Sequence, residues 1–169
     1  MDSITIRNAK AHDVDAIADL WEQLVAYHRA VNVHLPSATA NGSLRYARRI
    51  LDQLDSPTSC VLVAETEDKQ VIGYVLGVIV DLAPEMFEQE PSGFLADIFV
   101  LETHRRHGVG KKLVTQLVEW FAQRGVKYYE LHAASNNQIG LAFWRSVGGT
   151  EVMVRMRAEI QLQASERDE

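Results

Sequence analysis

A chain of 169 residues, 47% of them hydrophobic, has enough apolar material for one packed core. Its formal net charge of −6 argues against a general nucleic-acid surface, and no apolar run approaches the ~20 residues of a membrane helix. Cys60 is the single cysteine, so no disulfide forms within the chain; set in an apolar run, it reads as a buried structural thiol. Met1-Asp2-Ser3 lacks the basic and apolar regions of a signal peptide, which makes a soluble cytoplasmic protein the expectation.

Ile4-Thr5-Ile6-Arg7 alternates and reads as a first strand. From about Ala11, the residues Val14, Ile17, Trp21, Leu24, Val25 and His28 recur on one helical face, with Asp13 and Asp15 in the first turn. A loop over 31–37 follows, then a second helix from about Asn41 to Leu54 with Leu44, Ala47, Ile50, Leu51 and Leu54 apolar. Ser59 to Glu65 and Val71 to Val80 form an antiparallel hairpin across a polar turn. Asp81 to Ser92 is a charged loop carrying Asp81, Glu85, Glu88 and Glu90. Phe94 to Val100 is a compact apolar strand, and Val109, Leu113, Leu117, Trp120 and Phe121 recur at helical spacing up to Gly125. Val126 to Ala133 reads as another strand. Asn136 and Asn137 open a helix containing Ala142, Phe143, Trp144 and Val147, which Gly148-Gly149 closes. Val152 to Met156 is expected to be a last strand, within a single domain over 1–160; residues 161–169 form a polar tail.

Most of the chemistry gathers between the apolar strand and the helix at Val109. The first helical turn leaves backbone N–H groups without partners at the positive end of the helix dipole. Gly108 and Gly110 allow close approach, and Arg105, Arg106, His107 and Lys111 stand beside them. This is an anion site suited to a diphosphate. The spacing is not that of a P-loop, because G-x-x-x-x-G-K-[ST] is absent. G-x-G-x-x-G is absent too, which argues against a dinucleotide-binding strand–turn–helix.

The motif R-x-x-G-x-G from Arg105 to Gly110, after a strand ending in Val100, resembles the acyl-CoA-binding motif of the GNAT superfamily of N-acetyltransferases. A second motif strengthens the resemblance: Asn137-x-x-Gly140-x-x-Phe143-Trp144-Arg145-Ser146-Val147-Gly148 is similar to the family's Asn-x-x-Ala-x-x-Phe/Leu-Tyr-x-x-x-Gly-Phe. The element order follows the family over nearly the whole chain. The resemblance implies an α/β fold: a mixed central sheet splayed between its fourth and fifth strands, with helices on both faces. It implies acetyl-CoA as cofactor, held by the backbone of Ile98, Phe99 and Val100, by the turn from Arg105 through Val109 to Lys111, and by Asn137 on the pantetheine arm. It frames the acceptor with Tyr27, His28 and the loops 31–40 and 81–92, and it makes a homodimer an expectation. No metal is assigned.

The chain departs from the family pattern at two places. Trp144 stands where many members carry a proton-donating Tyr; an indole N–H does not titrate usefully, so packing against the cofactor arm or the core is expected. Ala96-Asp97 stands where members with a Glu-Asp pair use the Glu as base. An alkylamine with pKa near ~10 must lose a proton before it attacks. Asp97, His132 and His104 are the candidate acceptors in that order, and Asp97 could instead anchor the amine or serve structure. A backbone N–H near Phe99 or Val100 is the expected oxyanion donor. A thiol of pKa roughly 8.5 leaves as thiolate unaided, so losing the Tyr does not abolish the chemistry. The leading expectation is direct transfer to a primary amine, on a small molecule or a peptide, in a ternary complex. The alternatives are a non-catalytic acyl-CoA-binding or sensing domain and a pure interaction module.

Overall fold

The computed structural model describes residues 3–80, 86 and 90–160. The tail over 161–169 and most of the 81–92 loop, including Asp81, Glu85 and Glu88, lie outside the described residues. The strand β1 (Thr5–Asn8) leads through a short 3-10 turn (Ala11–Asp13) into α1 (Val14–Val31) and α2 (Gly42–Leu54). The hairpin β2 (Ser59–Glu65) and β3 (Val71–Val80) precedes β4 (Ser92–Val100), α3 (Val109–Ala122), β5 (Tyr129–Glu130) and α4 (Gln138–Ser146). The sheet order is β1-β2-β3-β4-β5, antiparallel except for the parallel β4–β5 pair.

Alternation along the central strands gives each face of the sheet a layer of helices. Ile17, Leu20 and Leu24 of α1 and Ile50 of α2 bury against Val61, Val63, Tyr74, Leu76 and Phe99. On the other face, Leu113, Leu117 and Phe121 of α3 bury against Leu62, Ile72, Val75 and Leu95. Continuous apolar runs such as Cys60–Ala64 follow from burial on both sides.

One irregularity decides where the site lies. The β3–β4 register steps from Leu76 opposite Asp97 to Gly77 opposite Leu95, which leaves Ala96 as an extra residue. In an unbroken strand Leu95 and Asp97 would share a face. The bulge separates them: Leu95 packs towards α3, while Asp97 turns towards α2. The sheet also opens here, because β5 pairs only with Gly93 and Phe94. From Leu95 to Val100 the β5-facing edge of β4 carries no ladder among the described residues.

Several expectations are corrected. The strand foreseen over 126–133 shrinks to Tyr129–Glu130, because β4 veers away and no strand pairs with the other edge of β5 among the described residues. The last strand foreseen at Val152–Met156 is not formed among the described residues: that segment joins no ladder and is exposed, so five strands are described where six were expected. On α2 the buried face is Tyr46, Ala47 and Ile50, whereas Leu44 and Leu51 are exposed. Helical spacing alone does not choose between two overlapping stripes when a tyrosine can reach a buried hydroxyl partner.

Beneath β1, Arg7 ties the first strand to both neighbours. Its guanidinium donates to Asp13 Oδ2 and Oδ1 at 2.7 and 2.9 Å and to Glu65 Oε2 at 2.5 and 3.0 Å. Burial pushes the Asp13 carboxyl up, but the Arg7 hydrogen bonds and the Lys10 amide outweigh it and hold the carboxyl below its usual range. Arg7→Leu therefore strands Asp13, which is 2% exposed, beside a second carboxylate. The expected loss at pH 7 is about 3 kcal/mol, the low end for breaking a buried pair, because the arginine itself keeps some solvent contact. Asp13 contributes its stability above pH 4 or so and loses it as pH falls through its depressed folded pKa. Denaturant titrations of both proteins should accordingly converge in acid.

Candidate functional site

The turn before α3 takes its shape from two left-handed residues, Arg106 (φ 68°) and Gly108 (φ 78°). Alternating hands of this kind curl successive N–H groups into a concavity that favours anions. Gly108 is the N-cap and brings no side-chain acceptor. The first bond of α3 runs from Lys112 N to Gly108 O at 3.0 Å. The N–H groups of Val109, Gly110 and Lys111 thus have no backbone acceptor among the described residues, and an anion is the partner the dipole favours. Arg106, His107, Lys111 and Lys112 are exposed around this rim, while Val109 is buried and anchors it.

Arg105 behaves differently from its neighbours. Its Nε donates to the Val100 carbonyl at 2.9 Å, and its guanidinium carbon lies 5.0 Å from the ring centres of both Tyr27 and Phe99. It clips the end of β4 to α1 instead of reaching over the turn, with cation–π contacts on both sides. Tyr27 continues the chain of contacts, donating from its hydroxyl to Asn137 Oδ1 at 3.2 Å. The same oxygen accepts from Gly140 N at 2.9 Å, which makes Asn137 the N-cap of α4. A Cβ at Gly140 would lie 2.5 Å from Asn137 Nδ2, so a larger residue there requires the Asn137 amide to shift. The family pattern has alanine at that position.

Asp97 sits on the α1/α2 side of the opened strand, within a cluster of aromatic side chains that the sequence did not disclose. Tyr46 donates to Asp97 Oδ2 at 2.9 Å, and the Tyr46 and Tyr74 hydroxyls are 3.3 Å apart. Trp21 stacks on Tyr46 with centroids 4.8 Å apart. Burial pushes the Asp97 carboxyl up to about 6; the Tyr46 hydrogen bond and the Arg49 charge act the other way. The hydroxyls of Tyr46 and Tyr74 are pushed above the usual phenol range, chiefly by burial, so both remain protonated donors. A carboxylate poised near neutrality can bind an ammonium or take a proton from it.

The other candidates separate. His132 is exposed and lies edge-on to Phe94 at 5.3 Å, on the far side of the bulge from Asp97. His104 makes its hydrogen bond with Thr103, at 2.9 Å. His28, near the end of α1, is half-buried and its pKa is lowered by that burial. Trp144 is partly buried against the α3 core and edge-to-face with Phe143 at 4.9 Å, a packing role. Cys60 is buried in β2 and its thiol is pushed up to about 11, which leaves it a poor nucleophile.

Residues 20–148 match the family model described as the acetyltransferase (GNAT) family. The chain belongs to the GNAT family. It is 41% identical over 64 residues to an aminoglycoside N(6')-acetyltransferase type 1 of Acinetobacter haemolyticus, covering 38% of this chain and 44% of that enzyme. The chain spans less than half the length of the curated relatives it matches. Among solved structures, a mutant of the BH1408 protein from Bacillus halodurans superposes with a TM-score of 0.83 at 22% identity, covering 93% of this chain and 99% of that one. The aminoglycoside acetyltransferase AAC(6')-Iy, in complex with a bisubstrate analogue of CoA, superposes at 0.73 with 19% identity, covering 95% and 99%. At these identities the structures establish a shared fold, with the mixed sheet and two helical layers described above.

Tyr46 and Tyr74 went unnoticed in the sequence because their relation to Asp97 spans three elements. Tyr46→Phe removes the donor that stabilises the charged form, so the Asp97 pKa should rise further above about 6. Carbon-detected NMR titration of the carboxyl in both proteins is the measurement. An unchanged midpoint would show that the hydrogen bond does not tune the acid.

Proposed function

We propose that this GNAT protein is an N-acetyltransferase that moves an acetyl group from acetyl-CoA to a primary amine by direct attack in a ternary complex. The observation that carries the reading is the opened edge of β4, with an uncapped anion turn at one end and the Tyr46-bonded Asp97 carboxylate on the α1/α2 side. The donor set fits the cofactor. N–H groups of Val109, Gly110 and Lys111 without a backbone acceptor among the described residues suit a diphosphate, and the edge of Ile98, Phe99 and Val100 that β5 leaves without a ladder, its Val100 carbonyl held by Arg105, suits an amide-bearing arm added like a strand. Arg106, His107 and Lys111 supply positive charge, and Asn137 and Trp144 border the same side from α4. Bound there, acetyl-CoA supplies the activated acetyl group.

The chain's own work is then proton removal and orientation. Asp97 accepts the proton of the incoming ammonium and holds the amine on the α2 side, while Tyr46 orients the carboxylate. Tyr27 and His28 border the acceptor's path at the end of α1, with His132 as the weaker alternative base. A polycationic acceptor suits the acidic chain, and the aminoglycoside acetyltransferase that is 41% identical over 64 residues supports an amino-sugar or similar polyamine amine.

Two variants separate binding from turnover. Gly110→Asp has room, since a Cβ would meet only Phe143 at 3.5 Å, and a carboxylate suits a helix N-terminus. The variant should fold normally yet lose most of the melting-temperature rise that acetyl-CoA gives the parent. Asp97→Asn should keep that rise and lower kcat at least about tenfold, or ~1.4 kcal/mol, on an amine panel read by thiol release. In the parent, kcat should climb as pH rises through about 6, where Asp97 ionises, and the Asn variant should lack that limb. Cofactor binding with no acetylated product across the panel would favour a non-catalytic acyl-CoA-binding domain.

A further inference from the structure

A single hydroxyl of α1 reaches from one helical layer to the other. Tyr27 packs with the α1/α2 layer, whereas Phe143 and Trp144 of α4 pack against the α3 layer. Across that divide the Tyr27 hydroxyl donates to Asn137 Oδ1 at 3.2 Å, while its ring lies 5.0 Å from the Arg105 guanidinium carbon. The Gly140 N–H approaches the same oxygen at 2.9 Å. A backbone N–H can only donate, so the amide atom that meets it is oxygen and the other is the NH2 group. Oδ1 thus serves two donors, and turning the amide over would set NH2 against both. Nδ2 keeps two protons and has no acceptor among the described residues. It lies against Gly140, where a Cβ would stand 2.5 Å from it and press it aside.

A strand-like ligand on an open sheet edge has a second edge of its own. The edge of Ile98, Phe99 and Val100 bonds one side of an amide-bearing arm; carbonyls on the arm's other side need donors from elsewhere. A half-buried side-chain NH2 is such a donor, and Arg105 and Tyr27 tie this one to the end of the same strand. Resting on the acetyl-CoA reading, we propose that Tyr27 is a positioning residue for the cofactor: its hydroxyl locks the Asn137 amide so that Nδ2 donates to a carbonyl of the pantetheine arm. Without the hydroxyl, Gly140 alone orients the amide, whose terminal torsion is broad and nearly two-fold. The donor is then presented for part of the time only. The loss falls on the arm and spares the diphosphate, which the turn before α3 holds by its own N–H groups.

Tyr27→Phe keeps the ring beside Arg105 and removes only the hydroxyl. By calorimetry it should bind acetyl-CoA about fivefold more weakly than the parent, the worth of one hydrogen bond, and bind CoA's phospho-ADP half unchanged. A merely structural tyrosine would weaken both or neither. Asn137→Asp keeps an oxygen to cap α4 and loses the NH2. It should lose at least as much acetyl-CoA affinity, measured relative to phospho-ADP so that its added charge cancels. Adding Tyr27→Phe to it should cost nothing more, because the donor it positions is gone. Should either variant fail to fold, the NMR signal of the Asn137 NH2 in the unmodified chain decides: it should shift with acetyl-CoA and not with phospho-ADP. An unmoved signal, unchanged acetyl-CoA affinity in Tyr27→Phe, equal losses on both ligands or additive losses in the double variant overturns this inference alone. A parent that binds no acetyl-CoA overturns the acetyl-transfer reading and this inference with it.

Discussion

The structure depends on the point at which β4 parts from β5. A parallel neighbour holds β4 only at Gly93 and Phe94, and the extra residue Ala96 then rotates the strand between its two helical layers. The bulge costs one ladder partner, and the opened edge leaves backbone donors and acceptors without a partner among the described residues. Such an edge is stable in water or when a strand-like ligand fills it. Both helical layers are fitted to this geometry. Tyr46 reaches Asp97 because the bulge turns that carboxylate towards α2, and Val109 can root α3 because Leu95 stays on the other face.

The two ends of the opening have opposite electrostatic characters. At the start of α3, uncapped N–H groups and exposed cations gather positive potential with little desolvation, since Arg106, Lys111 and Lys112 remain in water. At Asp97 the charge is negative and drawn among aromatic rings, and burial rather than a neighbouring acid raises its pKa. Between them, Arg105 spends its guanidinium on two rings and a carbonyl, joining the end of β4 to α1. Its contacts resemble those of a structural clip more than those of a phosphate ligand. Through Tyr27 the clip also meets the cap of α4 at Asn137, so both flanks of the opening are bound to one another.

Much of this was legible in the residues themselves. The turn from Arg105 to Lys111 was readable because its chemistry is local: glycine conformations, helix-end donors and adjacent cations all fall within seven positions. The layers of α1, α3, β2 and β3 were likewise written in their periodicities, and the Asn137 cap in its own helix start. The carboxylate–tyrosine cluster was not, because Asp97, Tyr46, Tyr74 and Trp21 come from four elements and meet only after the sheet is assembled. The bulge at Ala96 was equally hidden, since an apolar run buried on both faces shows no break in alternation where a residue is inserted. The extent of the last strands was undetermined for the same reason. Val126–Ala133 and Val152–Met156 have strand sequences, but a strand exists only where a neighbour accepts its hydrogen bonds, and the neighbour is a property of the tertiary fold.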